Sequence, residues 1–432
     1  MAVDGKLLHD WMGELFPISR SIVGPGFDQS LNFLIEKIDG VGVSHEYPTG
    51  NTYNGWTVPE SWELVRGQIL DLQGKVVIDS NDSNLHVWSH SIPFNGQLSR
   101  KDLENHLLSL PENRDAIPYA TTYYKSNWGF SLTHNQYLKL TDDFYKVRLE
   151  TKLKPGNLKM HEVYLPGESK SEIFFSTYLC HPSMANNELS GPVIWAALIN
   201  ALRNKKLKYS YRFVIGPETI GPACYLSSHL DELKENSLAA FNLTCVGDPN
   251  GWNFLHSPSG NSYSDKIALA TLDSLGIKYI SHDFLKRGSD ERMYASAKVN
   301  IPMVSIMRSK YTEYAEYHNS LDDMSFVTPQ GLQETLDYYI NLIQLVECDG
   351  FFTTSVVGEP FLSHIFQFPL TGGRFTENRD NSIELLKDLL AFSRGSTISD
   401  LATKLGRSTN EIIPPLNQLV EANLIEKIAF GD

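Results

Sequence analysis

Apolar residues recur at helical spacing over residues 4–15 and again over 27–38 (FDQSLNFLIEKI), which predicts two opening helices separated by the turn-rich ISRSIVGPG. From about residue 50 the pattern changes to short alternating segments with many turn signals: WELVRGQILDL, KVVIDSNDSN, LHVWSHSIPF, FYKVRLETKL and KMHEVYLPG. This is β-rich text. From residue 171 apolar runs of strand length alternate with longer helical patterns. Strands are expected at 171–179, 211–216, 239–246 and 301–307, and helices at 190–204, 221–236, 264–275 and 329–347. Such alternation predicts an α/β fold with a mostly parallel sheet wrapped by helices. The economical organisation is a β-rich domain over 46–155 inserted into a discontinuous α/β domain, 1–45 and 156–350. After Gly350 the stretch TTSVVGEPFLSHIFQFPLTGG is irregular. It is followed by three helical segments and a strand-like end, an order that resembles a winged helix-turn-helix over 351–432.

The stretch SEIFFSTYLCHPSMANNELSG, residues 171–191, carries a buried strand into a loop and then into a helix capped by Ser190. Ligands bind beyond the carboxyl ends of the strands in open α/β sheets, so His181, Asn186, Asn187 and Glu188 are placed for chemistry. A single histidine there is equally compatible with a loop hydrogen bond. The next strand ends in PETIGP, where Glu218 is either a general base, a metal ligand or an acid favoured by a helix N-terminus. LTCVGDP offers Thr244 and Asp248, RGSDERMY offers Asp290, Glu291 and Arg292, and EYHNSLDD offers His318. In the inserted segment His86, Trp88, His90, Tyr123, Tyr124, Trp128 and His134 form a polar-aromatic set that either lines a groove or fills a core.

The order strand, His, N-x-x-S-G, helix, then P-E-T-x-G, L-x-x-x-G, S-D and Y-H-N-S-x-D resembles the zinc-dependent aminopeptidases with two co-catalytic metals. HPSMANNELSG, AIPYATTYYKSNWGF and LTHNQY further resemble an uncharacterised bacterial family that joins an aminopeptidase-like domain to an inserted β domain and a C-terminal winged helix, often linked to polysaccharide biosynthesis. The resemblance implies that His181 and His318 are metal ligands and Glu218 the general base. It also puts Asn187, Thr219 and Thr244 where the aminopeptidases carry acidic ligands. Neutral side chains cannot offset two close zinc ions, so one zinc is expected. Glu188 is the available third ligand, with Asp248 in reserve. Asn187, Asp248, Asp290 and Arg292 are candidates for substrate contact. The activity implied is hydrolysis of an amide in a small peptide or amino-sugar-type substrate; the other reading is a degenerate binding or scaffold protein.

With 51 acidic against 37 basic residues the formal charge is −14, which argues against general affinity for nucleic acid or anionic membranes. The segment STNEIIPPLNQLVEAN, where a recognition helix would lie, has no basic residue. No DNA binding is therefore expected; docking to a protein partner or self-association is the expected use. No run approaches the roughly 18 apolar residues of a spanning helix. The N-terminus lacks a signal-peptide pattern, and Cys180, Cys224, Cys245 and Cys348 are scattered, so a reduced, cytoplasmic protein is expected.

Overall fold

The computed structural model describes residues 3–362 and 381–431. The irregular stretch expected at 353–373 lies outside the described residues from 363 onward. Eight strands form the large sheet, in the order Val43–Pro48, Asn157–Leu165, Tyr209–Gly216, Ser169–Tyr178, Ser237–Asn242, Met303–Met307, Trp252–Leu255 and Tyr279–His282. The four strands from Tyr209–Gly216 to Met303–Met307 are mutually parallel, and antiparallel strands flank them on both sides. The α/β fold expected from the alternation is the fold observed.

Burial on both faces explains the apolar runs. All eight residues of Tyr209–Gly216 are buried, and Phe175 stacks between Phe213 and Phe241 at ring separations of 5.0 and 5.3 Å. The helix Ser190–Leu202 is apolar around nearly its whole circumference because it lies inside the core. At its start, a Cβ on Gly191 would stand 2.2 Å from the Leu243 carbonyl oxygen. The glycine of the N-x-x-S-G motif therefore lets the helix end press against the neighbouring strand's loop. The strands Trp252–Leu255 and Tyr279–His282 were not legible as strands, since four-residue segments set no period of their own.

Val43–Pro48 pairs antiparallel with Asn157–Leu165, so the chain leaves and re-enters the large sheet on neighbouring strands. The border drawn at residue 46 falls inside the first of these. Between them lies a four-stranded antiparallel sheet, Val76–Asp79, Ser61–Leu70, Phe144–Lys154 and Phe94–Ser99, with its own core around Trp62, Ile69, Phe130, Val147 and Leu149. Two devices tie this part to the large sheet. The Ile117 carbonyl accepts from Ser320 N, and the His318 carbonyl accepts from Tyr119 N, each at 2.9 Å.

The second tie is His90, buried against Trp62 and Tyr123. Its Nδ1 accepts from the Ser21 hydroxyl at 2.7 Å and its Nε2–H donates to the Glu60 carbonyl at 3.0 Å. Burial pushes the His90 pKa down to about 4. The folded protein keeps this ring neutral while the unfolded chain protonates it below its ordinary 6.5. Stability contributed by the neutral ring is thus lost as pH falls from 6.5 towards 4, by about 3 kcal/mol at about 1.4 kcal/mol per pKa unit. In urea unfolding across that window, His90→Asn is expected to lower stability at neutral pH and to flatten its decline. An unchanged slope would remove His90 from the acid response.

The last part contains the antiparallel strands Arg394–Ser396, Phe351–Thr354 and Ile425–Ile428 and the helices Asn381–Phe392, Ile398–Leu405 and Thr409–Glu421. The last two helices pack on Tyr263–Ser274 of the large domain, fastened by Lys266 to Asp400 at 2.8 Å and by Asn410 to the Ser274 carbonyl at 3.3 Å. Among the described residues no helix is long and apolar enough to cross a membrane.

Candidate active site

His181 follows the Ser169–Tyr178 strand by three residues, and Glu188 rises from the π-helical turn Ala185–Leu189 that precedes the Ser190 helix. The Glu188 side chain is completely buried behind the histidine. Its Oε2 accepts from His181 Nδ1 at 2.6 Å, and its Oε1 accepts from the backbone N–H groups of Cys180 and, at 2.8 Å, His181. Both oxygens are therefore committed. The proton on Nδ1 fixes the tautomer and turns the Nε2 lone pair toward the cleft. Burial acts to lower the His181 pKa, but the Glu188 carboxylate outweighs it and the net shift is upward. Nε2 is a basic position, suited to a proton or a cation.

Glu218 Oε2 lies 3.9 Å from His181 Nε2. It is presented by a strained turn: Thr219 has φ 65° and ψ −62°, and Ile220 N donates to the Glu218 carbonyl at 2.7 Å. A β-branched residue in that conformation costs on the order of 1–3 kcal/mol. The surroundings hold it there. Asp290 Oδ1 accepts from Thr219 N, and Arg292 Nη2 donates to Thr219 Oγ1, both at 2.7 Å. Asp290 thus supports the turn from a buried position, while Arg292 also lines the cleft. Burial raises the Glu218 pKa and the Glu188 charge adds to this, against the lowering effects of His181 and Arg292.

His318, also in the left-handed region at φ 57°, is held by the Tyr119 backbone and stacks on Tyr317 at 3.9 Å. Its ring centre is 5.1 Å from that of His181. Burial, with His181 nearby, pushes its pKa down to about 3, so it is a neutral imidazole. The site's neutral positions are joined to each other. The Tyr178 hydroxyl stands 2.6 Å from Thr244 Oγ1 and accepts from Asn187 Nδ2 at 3.1 Å. Asn187 Oδ1 is buried without a hydrogen-bond partner. Asp322 accepts from Asn186 N and Asn187 N at 2.6 and 2.9 Å and fixes this turn; burial pushes its pKa up to about 7.

The structure therefore gathers His181, Glu218, His318 and Arg292 on one cleft of about 320 Å³, walled by Trp56, Tyr119, Tyr123 and Tyr124 from the inserted part. Four expected residues do not meet there as proposed: Asn187 is buried and is not among the residues that line the cleft. Glu188 lies behind His181 rather than beside its Nε2, because its carboxylate caps two N–H groups. Asp248 is a loop clamp: its oxygens accept from Asn186, Asn250 and Ser309, and no face is left for a substrate or an ion. Asp290 is spent on Thr219. Of the aromatic set, Tyr123 and Tyr124 line the cleft, whereas His86, His90 and Trp128 are buried. Arg20, Tyr119, Tyr178 and Asp322 were not picked out from the sequence as site residues. The sequence signal for Tyr119 was its place in AIPYATTYYKSNWGF.

Residues 9–349 match the family described as "Domain of unknown function (DUF4910)". The chain belongs to this family. It is 39% identical over 343 residues to a protein of Clostridium acetobutylicum provisionally named as a polysaccharide biosynthesis protein with an aminopeptidase-like domain, covering 79% of this chain and 78% of that one. A crystal structure of a provisionally assigned peptidase from Clostridium acetobutylicum superposes with a TM-score of 0.88 at 34% identity, covering 98% of this chain and 96% of that chain. The Bacillus subtilis zinc aminopeptidase BSAP matches with a TM-score of 0.58 at 12% identity, over 79% of this chain and 94% of that one. The fold of the large domain is thus that of the zinc aminopeptidases.

The donor set offers ligand atoms for a divalent ion. His181 offers a basic Nε2 backed by a carboxylate, the arrangement that orients metal-binding imidazoles. His318 is neutral, and Asn187 Oδ1 is an uncommitted buried oxygen. Thr219 and Thr244 are engaged with Arg292 and Tyr178 and bring no charge.

Proposed function

We propose that the cleft holds one zinc ion through His181 Nε2, His318 and the Asn187 amide oxygen, and that the protein hydrolyses an amide bond in a small peptide or amino-sugar-type substrate. The observation that carries this reading is the His181 Nδ1 to Glu188 hydrogen bond of 2.6 Å, which leaves Nε2 facing Glu218. Bound zinc would supply a water of lowered pKa at an open coordination position. Glu218 is the proton carrier. Its raised pKa makes it basic enough to take a proton from that water at Oε2 and acidic enough to pass it to the leaving nitrogen. Arg292, on the same wall, is a cation for a substrate carboxylate or phosphate, and the tyrosines and Trp56 offer faces for a sugar ring or an apolar side chain. The inserted part closes the cleft and selects the substrate.

The cleft of purified full-length protein is expected to hold one zinc, so that His181→Ala or His318→Ala each lowers the zinc content by one per chain. A loss of two zinc ions per chain on either substitution would refute the mononuclear assignment. A zinc content unchanged by either substitution would favour a binding protein, a reading to which the neutral web of Asn187, Tyr178 and Thr244 lends itself. The C-terminal part belongs to this reading as a protein-docking or self-association element, not a DNA reader, because its Thr409–Glu421 helix is occupied by the large domain. The setting we propose is cytoplasmic, consistent with four unpaired cysteines.

A further inference from the structure

A second group of metal-ligating side chains lies away from the cleft, where the edge strand Val43–Pro48 meets the helix Ile220–Asn236. We propose that His45, Glu162 and His229 form a structural site for a divalent transition ion, zinc by its donor chemistry. One donor atom from each lies within 4.8 Å of the others. His45 Nε2 stands 3.1 Å and His229 Nε2 3.8 Å from Glu162 Oε2, and the two imidazoles meet edge to face at 4.9 Å. Ligands bound to zinc at 2.0–2.1 Å with tetrahedral angles are about 3.3 Å apart, so side-chain shifts of a few tenths of an ångström complete the site.

The surroundings already orient two of the three donors. His229 Nδ1–H donates to the Tyr225 carbonyl at 3.1 Å, which leaves Nε2 as the lone pair. Glu162 is held through Oε1 by Arg212 and through Oε2 by the Tyr225 hydroxyl at 2.8 Å. The three side chains are 25, 12 and 17% exposed, so an ion can enter and a water can fill the fourth position.

Charge favours a cation. Arg212 is nearly buried and is shared by Glu162, Glu172 and Glu232, one guanidinium against three carboxylates. Glu172 is fully buried and Glu162 nearly so, in a region where each uncompensated charge is costly. A divalent ion at the histidines balances the excess. The consequence is mechanical. The ion would staple the edge strand to the helix that begins after Glu218, and the same helix supports the turn at Asn54 through its Ala223 carbonyl at 2.9 Å. Trp56, two residues on, lines the cleft, so this staple braces a cleft wall without touching substrate.

The test uses full-length His181→Ala/His318→Ala protein, in which the cleft cannot hold the ion, stripped with chelator and titrated with zinc. One zinc per chain is expected, with a rise in Tm. Adding His45→Gln and His229→Gln is expected to weaken that binding at least 10-fold and to abolish the Tm rise. Absence of zinc uptake with His45 and His229 intact would overturn the proposal, as would uptake unchanged by their substitution. Should the cleft variants fail to fold, His45→Gln alone in the otherwise unaltered protein is read by zinc content, which drops by one per chain if the site exists and stays constant if it does not. This outcome is independent of the cleft: if the cleft binds no zinc, the unaltered protein still carries one that disappears with His45.

Discussion

Glu218→Gln is expected to reduce turnover of an amide substrate by about 10²–10⁴-fold, the usual contribution of a general acid–base group, while leaving zinc content and fold unchanged. Glutamine keeps the shape and the hydrogen-bonding oxygen at the 3.9 Å separation from His181, but it neither accepts the proton from water nor delivers it to the leaving nitrogen. The strained Thr219 turn that presents the side chain depends on Asp290 and Arg292 and is untouched by the substitution. kcat and kcat/KM should therefore fall together, the pattern of an interaction made in the transition state. Metal analysis of the same preparation separates the two roles the sequence left open. If Glu218→Gln protein loses one zinc per chain, Glu218 is a ligand and the proton carrier must be sought elsewhere.

The large domain was legible because its strands are buried on both faces. Runs such as IFFSTYL and YRFVIG have no other use at that length. The cap expected at Ser190 is instead the first helical residue, its hydroxyl donating to the Asn186 carbonyl. His181, Glu218 and His318 were legible for a related reason, since each lies just past the carboxyl end of a strand or in a motif that resembles a known one. Roles were harder to read than positions. Glu188 sits next to Asn187 in the sequence and looks like a ligand. Only the π-helical turn reveals that its carboxylate points back under His181. Asp290 and Thr219 are separated by many residues and meet only because the S-D loop packs on the P-E-T turn. No local pattern encodes such a meeting. Arg20 was hidden in the same way: ISRSIV reads as a turn, yet Arg20 is 1% exposed.

Arg20→Leu is accordingly expected to be among the most damaging single substitutions in the chain, destabilising it by about 3–5 kcal/mol, the range for removing one partner of a buried charge pair. Arg20 Nε donates to the His181 carbonyl at 2.9 Å, and Nη1 donates to the Leu15 carbonyl at 2.8 Å and the Ser30 hydroxyl at 3.3 Å. Burial pushes its pKa down to about 10, and the Glu188 charge opposes that shift, which places the two as electrostatic partners beneath the histidine. Leucine fills part of the volume but strands two carbonyls and leaves Glu188 with His181 as its counter-charge. Urea unfolding of Arg20→Leu, Glu188→Gln and the double variant measures the coupling. If the double variant is less stable than Arg20→Leu by the full cost of Glu188→Gln alone, the two side chains act independently and the buried pair is not what secures His181.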